Sequence, residues 1–141
     1  MVCQVSWERG GDGRPSFGVQ GGARECGMSD ETSAAIQRFH DAFNAHDIDA
    51  VAGCITDDCV FEDTTPPDGT RHVGREAMLG AVRQFFADSP AATFSIEEMF
   101  TAGERALVRW RYTWADGHVR GVDVMRVTDG RVAESLAYVK G

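Results

Sequence analysis

A chain of 141 residues has the length of one domain and can bury a substantial core. With 43% hydrophobic and 26% charged residues its composition is ordinary for a globular protein, and no apolar run approaches the length of a membrane span. A formal net charge of -8 argues against nucleic acid and against anionic membrane surfaces as partners.

The first 27 residues, "MVCQVSWERGGDGRPSFGVQGGARECG", are glycine-rich and show no apolar periodicity. We expect a disordered N-terminal extension over 1–27, with Met28 as the biological start and one domain over 28–141. The alternative is an arm that packs on a partner through Trp7 and Phe17. No continuous apolar core of a secretory signal is present. Cys3, Cys26, Cys54 and Cys59 form neither a CxxC pair nor a cluster with zinc spacing. They read as reduced thiols of a cytoplasmic protein, with Cys54 and Cys59 as small core hydrophobes. No metal-ligand spacing and no glycine-rich phosphate loop occur, so no metal and no cofactor are expected.

From Met28 the pattern is helical, with Ser29 as the expected N-cap. Ile36, Phe39 and Phe43 then make one apolar stripe. "NAHD" interrupts it, and Asp47 can cap a short helix running to Cys54. "CVFED" reads as a strand with Phe61 and Asp63 on one face. "TTPPDGTRHVG" is a loop, because its Pro-Pro and Asp-Gly pairs break both regular structures. "REAMLGAVRQFFAD" is a second amphipathic helix with Met78, Val82, Phe85 and Phe86 inward. Strands follow over about 93–101, 105–115, 118–128 and 131–140.

Two Asp-Gly pairs, Asp116-Gly117 and Asp129-Gly130, predict two-residue type I′ hairpins. By counting back from those turns, Trp110 and Leu136 each face Asp123, Val108 faces Met125, and Gly121 faces both Tyr112 and Tyr138. Because side chains alternate along a strand, one sheet face then carries Val108, Trp110, Tyr112, Trp114, Asp123, Met125, Leu136 and Tyr138. The other carries Leu107, Arg109, Arg111, Arg120, Val122, Val124 and Arg126. A β-bulge would shift this register by one. The amphipathic helices must cover the aromatic face, which makes an α+β layer architecture with room for a pocket between the layers. A carboxylate on such a face has its charged form disfavoured, so the pKa of Asp123 should rise. Asp63 is the second candidate carboxylate. Both have structural readings: Asp123 can accept from the Trp110 indole N–H, and Asp63 can cap the "TTPP" loop.

The order helix, short helix, "DDCVFEDTTPP", helix, then a strand-rich half containing "VDVMRVTDGRV", resembles the nuclear transport factor 2-like superfamily. Within it, the chain is most similar to SnoaL-like proteins, the polyketide cyclases and their relatives, and next to ketosteroid isomerase. The resemblance spans Met28 to Gly141. It implies a cone-shaped α+β barrel-like fold, in which a strongly bent mixed or antiparallel sheet wraps N-terminal helices around an apolar cavity. It also implies a homodimer formed through the outer sheet face. Asp63 matches the general-base aspartate of the isomerase. Asp123 matches its hydrogen-bond-donating aspartic acid and the catalytic aspartate of SnoaL-like cyclases. Phe39 falls where the isomerase has its oxyanion-hole tyrosine, and it lacks the hydroxyl.

The candidate catalytic residues are thus Asp123 and Asp63. The candidate substrate-binding residues are Phe39, His40, Phe61, Trp110, Tyr112, Met125, Leu136 and Tyr138. Two classes of function stay open. One is an enzyme performing cofactor-free general acid/base chemistry, isomerisation or aldol-type cyclisation, on a small apolar carbonyl compound, with epoxide opening as a variant. The other is a non-catalytic ligand-binding or dimerisation domain.

Overall fold

The computed structural model describes the backbone of residues 23–140 and the side chains from Met28 onward. The fate of residues 1–22 lies outside the described residues. The first helix, α1 (Ala23–Asn44), runs across the boundary expected at Met28. Ser29 is therefore inside the helix rather than at its N-cap. Its hydroxyl instead accepts from the Gly103 amide at 3.3 Å, and the Thr32 hydroxyl lies 2.6 Å from the Gly103 carbonyl.

α1 buries Ala35, Ile36, Phe39, His40 and Phe43, a stripe at helical spacing. It ends in a Schellman motif: the Asp47 and His46 amides donate to the Ala42 and Phe43 carbonyls, with His46 at φ 54°. Asp47 then caps α2 (Ile48–Gly53), accepting from the Ala50 amide at 3.1 Å. β1 (Ile55–Glu62) leads through the proline loop to a short β2 (Arg71–Val73) and to α3 (Arg75–Asp88), which buries Met78, Leu79 and Val82. β3 (Thr93–Ala102), β4 (Arg105–Trp114), β5 (Gly117–Thr128) and β6 (Arg131–Val139) complete the chain.

The six strands form one mixed sheet in the order β2-β1-β6-β5-β4-β3, antiparallel except where β1 joins β6. The helices lie on one face of it. This is the expected cone-shaped α+β arrangement, with an open sheet.

Two details differ from the register counted along the sequence. The Asp129-Gly130 hairpin is the expected one, with φ 51° and 74° and Thr128 opposite Arg131. In the β4–β5 hairpin, however, Trp114 pairs with Gly117 and Trp110 with Gly121, so the turn is Ala115-Asp116. None of these turn residues has positive φ, which a type I′ turn requires. The pairing is two residues away from the expected one, with Val108 rather than Trp110 opposite Asp123. The physical reason lies in the two tryptophans. An ideal Cβ on Gly121 would sit 2.5 Å from the Trp110 ring, and one on Gly117 would sit 3.3 Å from the Trp114 ring. Each indole covers the glycine opposite it, a cross-strand pairing that a glycine-free position would not accept. A shift of two preserves side-chain parity, so Asp123, Trp110 and Tyr112 keep the inner face.

The second difference changes the faces. Between the Val127–Val132 and Arg126–Glu134 pairs the register shifts by one. Ala133 is the extra residue of a β-bulge, and Val132 and Ala133 are both buried. Beyond it, Ser135 and Ala137 turn inward, while Leu136 and Tyr138 face outward opposite Val124 and Val122. Leu136 and Tyr138, expected in the pocket, are thus on the opposite side of the sheet, and Tyr138 is exposed.

A second bulge, at Glu97 in β3, places Glu97 and Glu98 on the outer face, where Glu98 pairs with Arg109 and Glu97 with Arg120. Bulges raise local twist and bend a strand, which lets the sheet curl round the helices.

β3 is an edge strand, and Asn44 covers part of that edge. Its side chain accepts from the Phe94 amide and donates to the Phe94 carbonyl, both at 2.8 Å. Asn44→Ala should leave both half-buried backbone groups unpaired and cost about 2 kcal/mol. Urea unfolding followed by tryptophan fluorescence checks this; an unchanged midpoint would show that water satisfies Phe94 equally well.

Candidate active site

Between the helices and the inner sheet face lies a cavity of about 250 Å³. α1 contributes Phe39, His40 and Phe43, and α3 contributes Met78, Val82 and Phe85. The sheet side is built from Phe94, Trp110, Tyr112 and Trp114, with Val119, Asp123, Ser135 and Ala137 beyond them. Phe61, Asp63 and Thr64 complete the lining from the end of β1. The aromatic rings interlock: Phe94 meets Trp110 edge-on at 5.2 Å and Phe43 edge-on at 5.1 Å.

Seven of the ten residues named from the sequence line this one cavity: Phe39, His40, Phe61, Asp63, Trp110, Tyr112 and Asp123. Met125 is on the same face but fully buried in the core beneath it, opposite Ser135. Leu136 and Tyr138 are excluded by the bulge at Ala133. The same bulge supplies the two residues that counting missed, Ser135 and Ala137. Only the alternative register, one residue over, would have named them.

Asp123 sits in the wall with only about 8% of its surface exposed. Trp110 Nε1 donates to its Oδ1 at 2.9 Å, and the Ser135 hydroxyl donates to its Oδ2 at 3.4 Å. Burial in the apolar wall pushes its carboxyl up to about 6, against the pull of those two donors. Gly121 is what allows the Trp110 contact. With no side chain opposite it, the indole lies across Gly121 and reaches the carboxylate two residues further along β5.

Asp63 is in the opposite situation. Burial opposes its ionisation, but the Thr70 and Thr65 amides donate to Oδ1 at 2.7 Å and 3.0 Å and outweigh it. The His72 ring nitrogen Nε2 lies 3.2 Å from Oδ2. Together these hold the carboxyl at about 2. Gly69 closes the loop so tightly, at φ 81°, that an ideal Cβ there would lie 2.4 Å from the Asp63 carbonyl oxygen. The structural reading of Asp63 as anchor of the proline loop is thus realised, on the rim of the cavity. His72 stacks on Phe61 at 5.8 Å beside it.

His40 lies in the buried stripe of α1, with its ring edge-on to Phe39 at 5.6 Å and to Phe94 at 5.9 Å. Neither ring nitrogen has a hydrogen-bond partner among the described residues. Burial lowers its pKa to about 4, against the attraction of Asp41, so it is neutral near pH 7. Among the described residues no group of three or more His, Cys, Asp or Glu side chains is placed to hold a metal ion, and no helix is long and apolar enough to cross a membrane.

The α+β cone of helices against a bent, open mixed sheet is the nuclear transport factor 2-like fold. The model of the SnoaL-like domain matches residues 36–135, and the chain belongs to that family. An NTF2-like protein of unknown function from Mesorhizobium loti is 47% identical, with 81% of this chain and 94% of that one covered and a TM-score of 0.71. A Sinorhizobium meliloti protein provisionally described as a polyketide cyclase is 24% identical over 74% of this chain and 93% of its own, TM-score 0.66. A Kribbella flavida protein provisionally described as a ketosteroid isomerase is 21% identical over 80% of each chain, TM-score 0.68. The last two likenesses show the fold alone. No curated protein sequence matches the chain.

The elevated carboxyl of Asp123 has a consequence for stability. The folded protein keeps its proton at pH values where the unfolded chain, with a carboxyl near 3.9, has lost it. Stability from this group is therefore complete below about pH 4, falls as pH rises to about 6, and stays reduced above that. Asp123→Asn keeps the shape and the bond from Trp110 without the charge, and its amide nitrogen can donate to the Ser135 hydroxyl in place of the bond that Ser135 gave. It should be more stable than wild type by about 2–3 kcal/mol at pH 8, a gain that disappears near pH 4. Denaturant unfolding of both proteins at the two pH values measures it; a less stable variant at pH 8 would mean that the carboxylate is well solvated or paired.

Proposed function

We propose that this SnoaL-like protein is an enzyme that moves a proton next to the carbonyl of a small, largely apolar compound, with Asp123 as the base. The observation that carries the proposal is Asp123 itself: a carboxylate buried in an aromatic cavity, with its carboxyl at about 6. A base with a pKa near the working pH is ionised for part of the time and still strong enough to abstract a proton. A carboxyl held at about 2 is a much weaker base, so Asp63 serves this reading as the fixed anion that orders the rim. In the reaction the Asp123 carboxylate takes the proton from the carbon beside the carbonyl, and the electron pair moves onto the carbonyl oxygen as an enolate. Return of the proton to a more distant carbon gives isomerisation; attack of the carbanion on a second carbonyl gives aldol cyclisation. Neither step calls for a cofactor. The descriptions of the polyketide cyclase and ketosteroid isomerase neighbours support this class of chemistry. The absence of a hydroxyl on Phe39 argues against steroid isomerisation in particular.

Two probes that need only a base test this: 3-cyclohexenone, which isomerises to its conjugated form, and 5-nitrobenzisoxazole, which opens on losing one proton. The expected rate rises with pH through about 6 and then levels. Asp123→Asn should lower it by about 10²-fold or more, while Asp63→Asn should lower it by less than about tenfold. Equal activity of wild type and Asp123→Asn on both probes would leave the non-catalytic binding reading standing.

We also propose a homodimer through the outer sheet face. Phe100, Leu107, Val124 and Leu136 are paired in one row across four strands, and Phe100 and Leu107 are exposed. The ion pairs Arg109–Glu98 and Arg120–Glu97 flank that row, an apolar centre with a charged rim. Light scattering should give a dimer, converted to monomer by Leu107→Glu; a monomeric wild type at micromolar concentration would count against the interface.

A further inference from the structure

A neutral imidazole carries one N–H donor and one acceptor nitrogen, and a buried histidine ordinarily uses at least one of them. His40 uses neither, although it is only about 4% exposed. Leaving such groups unpaired in an apolar setting is costly, because their bonds to water are lost without replacement. A phenylalanine at this position would pack between Phe39 and Phe94 without that cost. The position also belongs to the cavity: His40 stands on its α1 wall, and Phe94 and Trp110 join it edge to edge to Asp123 on the sheet wall. Three other polar side chains of the lining, Thr64, Tyr112 and Trp114, are not buried groups left unpaired as His40 is, and the rest are already committed. Asp63 holds the loop, and Trp110 and Ser135 donate to Asp123.

We infer that His40 is the hydrogen-bond donor for the carbonyl oxygen of the ligand, so that the site reads a ketone at two points, His40 on the oxygen and Asp123 on the neighbouring carbon. This rests on the proposed chemistry at Asp123 and extends it to substrate class: a compact apolar ketone with one oxygen that accepts a hydrogen bond from α1. The donor is the neutral ring. Burial keeps the imidazole uncharged near pH 7, and an N–H aimed at an oxygen that gains charge in the transition state stabilises it there. It would fill the role for which Phe39, one residue earlier, has no hydroxyl. As a step, the Asp123 carboxylate takes the proton, the electron pair moves to oxygen, and His40 holds that oxygen without giving up its own proton.

The probes are 2-tetralone and tetralin, which share a bicyclic frame and differ at one methylene, a carbonyl in the ketone. At pH 8 Asp123 is ionised and cannot donate, so preference for the ketone reports on a neutral donor of the lining, and its loss in His40→Phe but not in Tyr112→Phe assigns it to His40. Calorimetry on wild type should show 2-tetralone binding about tenfold or more tighter than tetralin, the size expected of one well-made hydrogen bond. His40→Phe should erase that preference and leave tetralin binding within about twofold of wild type, which also shows that the cavity is intact. In wild type, the carbonyl stretch of bound 2-tetralone should move to lower frequency and the His40 ring N–H resonance downfield on binding. These two signals need no variant. A ketone preference that survives in His40→Phe, or an unmoved His40 resonance on saturation with 2-tetralone, would overturn the assignment. If instead wild type binds the ketone as described but Asp123→Asn leaves probe turnover intact, the assignment of His40 holds and the base assignment fails.

Discussion

The contact on which the site depends is the hydrogen bond from the Trp110 indole to Asp123, 2.9 Å long and buried. A carboxylate facing an aromatic wall is unfavourable unless a donor meets it. Here the donor comes from the adjacent strand, and it can come only because Gly121 leaves the space that the indole crosses. Three residues thus act as one unit. Glycine sets the place of the tryptophan, tryptophan fixes the carboxylate, and the carboxylate is left with one further donor, Ser135. Neutral donors partly offset the burial without cancelling it, which is why the carboxyl stays elevated. An arginine at the same distance would have ionised Asp123 fully and made it a poor base. Arg109, Arg111 and Arg120 of β4 and β5 are instead turned outward to Glu97 and Glu98.

The same cavity holds a second carboxylate whose environment pushes it the other way. Asp63 accepts from two backbone amides of a tight loop and titrates near 2, while Asp123 titrates near 6. Pairs of acids driven apart by their surroundings are how one site divides the work of a permanent anion and a proton carrier. The division here follows from position. Asp63 stands where the chain leaves β1 and must turn, so backbone amides are at hand; Asp123 stands in mid-strand, where its neighbours' amides are engaged in the ladder.

The sheet is two-faced, and its bulges enforce that. The extra residue at Glu97 collects both glutamates on the outer face, where they pair with arginines, and the extra residue at Ala133 draws Ser135 toward Asp123. Each bulge also bends its strand, so the curvature that opens the cavity and the placement of the polar groups within it share one cause.

Much of this was legible in the chain. The stripe Ile36–Phe39–Phe43, the cap at Asp47 and the hairpin at Asp129-Gly130 are local, decided by residues within one turn of each other, and the sequence by itself determined them. It also determined the face on which Asp123 lies, because strand parity survives the two-residue slide in the β4–β5 hairpin. Tertiary structure alone decided the rest. An inserted residue such as Ala133 reverses parity for everything after it, and its position depends on how far β6 must bend around α1 and α3, which no residue of β6 announces. That is why Leu136 and Tyr138 were read into the pocket and Ser135 was not. The register of Trp110 over Gly121 is likewise a contact between strands. So is the state of Asp63: the amide of Thr70 that ionises it is seven residues away along the chain and meets it only when the loop has closed. Local pattern sets which element forms and which side it buries, whereas titration, pairing and exact register follow from neighbours that only folding brings together.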